Sequence, residues 1–136
     1  SEVIIVENNV ISYINSIDIK KLRNRMKTLN YYMVEVPGAK IQTKRSFLDF
    51  MGEKFSMPDY QGWDAYADWM KDLSWIPNRR ICVIIDDYSS FLRKDSKARK
   101  DSIELFKDDI LPFWEKDVLK FVVGGKTRVF KVYLVN

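Results

Sequence analysis

The chain predicts an α/β fold, a small parallel β-sheet packed by helices. Residues 81–85 (ICVII) form a continuous, mostly β-branched apolar run, the mark of a strand covered on both faces and central to a parallel sheet. Elsewhere, short strand-like segments are separated by stretches with apolar residues at helical spacing, and strands separated by helices favour parallel pairing. With 136 residues, 46% of them apolar and 14% aromatic, the chain has enough core material for one domain with an extension.

Taken in order, residues 3–6 (VIIV) and 10–14 (VISYI) read as strands around an Asn8-Asn9 turn. Asp18 is placed to cap a helix running to about Leu29, with Ile19, Leu22, Met26 and Leu29 as its apolar positions. Lys20, Lys21, Arg23, Arg25 and Lys27 occupy much of the remainder of that helix. Residues 1–30 thus form a strand–helix extension that adds to the sheet or covers one edge of the main domain, 31–136. Residues 31–36 predict the next strand, ended by Pro37-Gly38. Thr43 is the expected N-cap of a helix over 45–55 with Phe47, Leu48, Met51 and Phe55 as its core stripe.

After strand 81–85 and the pair Asp86-Asp87, residues 88–92 predict a loop or one helical turn. The polar stretch RKDSKARKD leads into a helix over about 100–114, with Ile103, Phe106, Ile110 and Phe113 inward. Pro112 should kink or end it, because proline lacks an N–H and its ring crowds the preceding turn. Residues 118–123, Gly124-Gly125 and 129–135 read as a hairpin or as two strands joined by a tight turn.

The most informative stretch is 57–76, MPDYQGWDAYADWMKDLSWI. Gly62 is its last breaker, and 63–73 predict a helix. Asp64, Asp68 and Asp72 fall at i, i+4, i+8 on one side; Trp63, Tyr66, Trp69, Met70 and Leu73 fall on the other. Solvated charged faces are common on amphipathic helices. Here, however, like charges at i, i+4 cost roughly 0.2–0.5 kcal/mol per pair, and Lys71, the only base in the stretch, lies off the stripe.

The same residues resemble the signature of the barstar family, intracellular inhibitors of a secreted ribonuclease. That signature reads here Pro58, Asp59, Tyr60, Gly62, Trp63, Asp64, Ala65 and Asp68, followed by the family-like tail DLSWI. The resemblance runs over about 31–136 and is specific at 58–76. It implies a barstar-like α/β domain that binds and occludes a nuclease without catalysis or a cofactor, as a monomer in a 1:1 complex, with carboxylates standing in for substrate phosphates. Carried over position by position, it implies partner-binding roles for Tyr60, Trp63, Asp64 and Asp68, and for Asp108 in the later helix; Gly62 and Ala67 fall within the same contact segment, and Asp72 joins the expected partner-binding residues through the acid stripe. The chain departs from the pattern in a loop one residue shorter between Tyr60 and Trp63, in the missing Asn before Trp63, and in Ala67, where the family prototype has Trp. Its net charge of +4 also departs from a strongly acidic prototype. These departures point to a different nuclease partner rather than to a different fold.

Composition excludes several alternatives. The chain has no histidine and a single cysteine, Cys82, so Cys–His and Ser–His catalysis, an internal disulfide and ordinary structural zinc have no residues to use. Cys82 reads as a small buried hydrophobe. Apolar runs are too short to span a membrane, and with no secretory leader recognisable a cytoplasmic location is expected. Bases exceed acids toward both ends. That suggests an alternative nucleic-acid-binding module in which Tyr31, Tyr32, Phe121 and Phe130 stack bases if they are exposed. A metal-dependent phosphoryl-transfer site at Asp86 and Asp87 is weaker, because adjacent Asp side chains diverge and no Gly-rich phosphate loop accompanies them.

Overall fold

A computed structural model describes residues 8–136; the strand expected at 3–6 lies outside the described residues. Four strands, β1 (Ile11–Ile14), β2 (Tyr32–Pro37), β3 (Arg80–Asp86) and β4 (Val129–Val135), form one parallel sheet in the order β1-β4-β3-β2. The helices are α1 (Ile19–Thr28), α2 (Lys44–Lys54), α3 (Trp63–Met70), α4 (Ser96–Leu105) and the single turn α5 (Val118–Phe121). β3 and β4 are central, and residues 81–85 are buried throughout, as their unbroken apolar run requires.

The sheet separates two apolar clusters. On one face Val34, Val36, Val83, Ile85, Phe130 and Val132 join the inward faces of α2, α3 and α4. Phe47 lies at the middle of that cluster, with its ring 5.6–5.8 Å from those of Trp63, Tyr66 and Phe91. On the other face Ile19, Leu22 and Met26 of α1 cover Cys82, Ile84, Tyr133 and Val135. The described residues before β2 therefore do two things at once: β1 adds a strand beside β4, and α1 shields the second face of the sheet. Burial pushes the Cys82 thiol well up, as expected of an inert core cysteine.

Local chemistry explains most boundaries. Thr43 caps α2 as expected: its Oγ1 accepts from the Ser46 N–H at 3.0 Å, and Ser46 Oγ accepts from the Thr43 N–H at 3.1 Å. Thr43→Ala should cost about 1 kcal/mol in a urea or thermal melt. Asp18 occupies the cap position of α1, but its side chain does not cap. Asn15 Oδ1 accepts from the Ile17 and Asp18 N–H groups instead, at 3.1 and 3.0 Å. Asn9 has a tertiary role. Its amide donates to the Leu111 and Arg128 carbonyls and accepts from the Phe130 N–H, which ties the chain before β1 to β4 and to the helix packed over it.

Two expectations for the C-terminal third are corrected. Helical structure begins at Ser96 and runs through Pro112 to Phe121, via π-helical turns at Phe106–Ile110 and Phe113–Asp117. A π-turn holds an extra residue, and the widened helix accommodates the missing N–H and the ring of Pro112 without ending. It also rotates the inward face: Trp114 and Val118 are buried, whereas Phe113 is only partly covered. Residues 118–123 are therefore not a strand, and no hairpin follows. Gly124 turns the chain with φ 71°, and β4 pairs parallel with β1 and β3.

Candidate functional site

α3 opens at Gly62, whose extended backbone (φ −148°) is the cap position. Asp64 lies in the first turn, where the N-terminal end of the helix dipole favours negative charge. Asp68 follows one turn later, and both carboxylates are exposed. Ala67, within the expected contact segment, faces inward and is 7% exposed, so its methyl group belongs to the core. Asp72 is exposed, but it is not on the helix. α3 stops at Met70, Leu73 turns inward with φ 49°, and Asp72 Oδ1 accepts from the Ser74 N–H at 3.0 Å. The carboxylate stripe thus comprises Asp64 and Asp68, with Asp72 closing the turn beyond.

A second acidic surface lies beside it. Trp63, Leu105 and the carboxylate residues Asp101, Glu104, Asp108 and Asp109 line a groove of 310 Å³ between the start of α3 and the α4 helix. Asp108 is the member of this set that sequence reasoning named. Asp101, Glu104 and Asp109 carry no sequence signal that separates them from a solvated helix face, and only the packing of the helical stretch 96–110 against α3 brings them to Trp63. Lys71 orients the two surfaces. As the C-cap residue of α3 it follows Asp64 by seven residues, so it lies on the Asp64 side of the helix rather than off the stripe as expected. Its Nζ is 3.1 Å from Asp109 Oδ1, which places the 106–110 turn on the Asp64 side of α3.

The loop before α3 is held rigidly. The Arg45 guanidinium donates to the Tyr60 carbonyl at 2.5 Å, to the Gln61 carbonyl at 2.8 Å and to Asp49 at 2.9 Å. Asp59 Oδ1 accepts from the Gln61 N–H at 3.1 Å. The Tyr60 ring lies directly on Gly52 of α2: a Cβ there would come within 2.1 Å of the ring. Gly52→Ala should gain about 0.5–1 kcal/mol of helix propensity and lose about 1–3 kcal/mol to the displaced ring. The expected result is a melting point lowered by up to several degrees and a Tyr60 side chain moved out of place, read from its NMR contacts to α2.

The other candidates are absorbed by the fold. Tyr31 and Phe130 are buried, and Tyr32 packs against Phe55 and donates to the Lys54 carbonyl. Of the four aromatics considered for base stacking, only Phe121 is freely exposed, at 77%. Asp86 is 3.3 Å from Arg23 Nη2, and Arg23 Nε also binds Glu35 at 2.5 Å. Burial raises the Asp86 carboxyl above its ordinary value, with Arg23 pulling the other way. Asp87 has a left-handed backbone (φ 47°) at the turn after β3. Among the described residues no group of three or more His, Cys, Asp or Glu is placed to hold a metal ion, and no helix is long and apolar enough to cross a membrane.

No curated protein and no solved structure gave a match to the chain. A family model described as Barstar (barnase inhibitor) matches residues 31–126, from the start of β2 to the turn before β4. That span contains α3, the loop held by Arg45 and the acidic groove, and it covers well over half of the sequence; the chain belongs to the barstar family.

Proposed function

We propose that the protein is a stoichiometric inhibitor that seats α3 and the loop at Tyr60 in the active site of a ribonuclease. The observation that carries this reading is the exposed pair Asp64 and Asp68 flanked by the acidic groove at Asp108, all within the family-matched span. A ribonuclease active site holds phosphates with Arg and Lys, and an array of fixed carboxylates is complementary to the same cations. Acidic patches also steer encounter, raising the association rate at low salt. The clamp of Arg45 on the loop reduces the ordering cost of binding, which favours a slow off-rate. A cell that makes and exports a nuclease would be protected by such a protein in its cytoplasm, as a 1:1 complex.

A nucleic-acid partner has less support, since the stacking candidates Tyr31 and Phe130 are core residues and the groove beside α3 repels phosphate. The test is cleavage of a fluorogenic RNA by barnase-type and other toxin ribonucleases during titration with this protein. The activity of the cognate enzyme should fall linearly to zero at one equivalent, and the protein alone should neither cleave nor bind the RNA. Salt-sensitive binding to the RNA itself, with every nuclease left active, would overturn the reading.

A further inference from the structure

We infer that the cavity at the far end of α3 is a binding site for a small organic anion, a carboxylate or phosphate carried on an apolar body. The cavity measures 730 Å³, within the range of ligand sites, and lies between the 71–79 segment and the helix end at 113–122. Trp114, Val118 and Val122 give its lining an apolar part. Arg79, Lys126 and Arg128 contribute cationic side chains to its lining. Lys71 also lines it but is engaged by Asp109, and Asp72 is the one acid present.

Arg128 carries the argument. Its guanidinium is half-buried and fixed in place, stacked 4.7 Å over the Trp114 ring and donating to the Leu73 carbonyl at 2.9 Å and the Asn78 carbonyl at 3.1 Å. Trp114 is itself held by its indole N–H, which donates to the Met70 carbonyl at 2.8 Å. Two of the five guanidinium N–H groups are thus used by the protein, and no carboxylate among the described residues lies within ion-pair distance of Arg128. Burial lowers its pKa and the more distant Asp72 acts in the opposite direction, so among the described residues no ion pair offsets the desolvation of the guanidinium. A desolvated cation is ordinarily paired. Here the missing partner would be an anion in the cavity. The exposed Arg79 and Lys126 would attract it, and the apolar part of the lining would take the body attached to it.

The experiment is calorimetric titration of the intact chain, without any nuclease, using adenosine 5′-monophosphate as the nucleotide probe and 1-naphthoate as the aromatic-acid probe. Adenosine and inorganic phosphate serve as the half-ligands. The inference expects one anionic probe to bind at a single site, about tenfold or more tighter than either adenosine or phosphate, since 1.4 kcal/mol is a factor of ten. Which probe binds decides between a nucleotide and an aromatic acid. The bound state should shift the Trp114 indole N–H resonance. Arg79→Glu/Lys126→Glu, which changes only exposed side chains, should abolish binding without changing the melting temperature. Arg128→Gln should also abolish it, and the double variant keeps the test valid if loss of the carbonyl contacts unfolds Arg128→Gln. Failure of both probes to bind, binding of phosphate as tightly as the nucleotide, or unchanged affinity in the double variant would overturn the inference. None of these readouts depends on whether the protein inhibits a ribonuclease.

Discussion

A chain reduced to residues 31–136 is expected not to fold cooperatively, even though it contains the whole family-matched span. In the intact protein Ile19, Leu22 and Met26 are 6%, 1% and 0% exposed, against Cys82, Ile84, Tyr133 and Val135 on the second face of the sheet. Burying each such side chain is worth about 1.5–3 kcal/mol, so three together approach the roughly 5–15 kcal/mol that holds a domain folded. Removing them would also expose a continuous apolar face of a parallel sheet, an arrangement stable only when both faces are covered. The truncation takes more than α1. It removes β1, making β4 an edge strand, the Asn9 amide that joins Leu111, Arg128 and Phe130, and the Arg23 bridge to Glu35 and Asp86. Circular dichroism and amide dispersion should show a poorly packed chain, and Leu22→Ala in the full chain should already cost about 2–5 kcal/mol. Cooperative melting of 31–136 within a few degrees of the parent would show the extension to be an accessory.

The parts of the fold legible in the sequence are those in which one chemical signal decides the outcome. Thr43 followed by Phe47, Leu48, Met51 and Phe55 specifies a capped helix with one inward stripe, and the structure has it. The run at 81–85 specifies a central strand, and it lies between β2 and β4. The misreadings occur where local preference and tertiary packing disagree. Val118, Val122 and Val123 are β-branched and Gly124-Gly125 looks like a hairpin turn, yet Val118 is needed inward beside Trp114 and the π-turns carry the helix on to it. Asp72 continues the helical spacing of Asp64 and Asp68. Leu73, however, is drawn into the core through a left-handed backbone that nothing in its side chain announces. Half of the candidate site was legible for the same reason. Asp64 and Asp68 sit on one helix and share its period, whereas Asp101, Glu104 and Asp109 meet Trp63 only because two helices far apart in sequence pack together.

Asp68→Ala is expected to abolish inhibition of the cognate nuclease while leaving the fold intact. Asp68 is exposed, and no hydrogen bond or ion pair ties its carboxylate to the rest of the described chain. Its loss from the free protein should be neutral or slightly stabilising, because the repulsion from Asp64 one turn away is relieved. In the complex a carboxylate at the centre of α3 would be desolvated against Arg or Lys of the enzyme. Truncating one partner of such a pair costs several kcal/mol, much of it the penalty of stranding the other charge; the measured precedent is this family's own inhibitor–ribonuclease pair. Asp64→Ala should act in the same direction. Asp72→Ala should weaken binding less, since Asp72 lies beyond the helix and is engaged by the Ser74 N–H. Lys27→Ala, on α1, should not affect binding. The measurements are a thermal melt of each variant and a titration against the nuclease. Normal inhibition by Asp68→Ala would remove α3 as the contact surface. A melting point several degrees lower would instead make Asp68 a structural residue, contrary to its exposure.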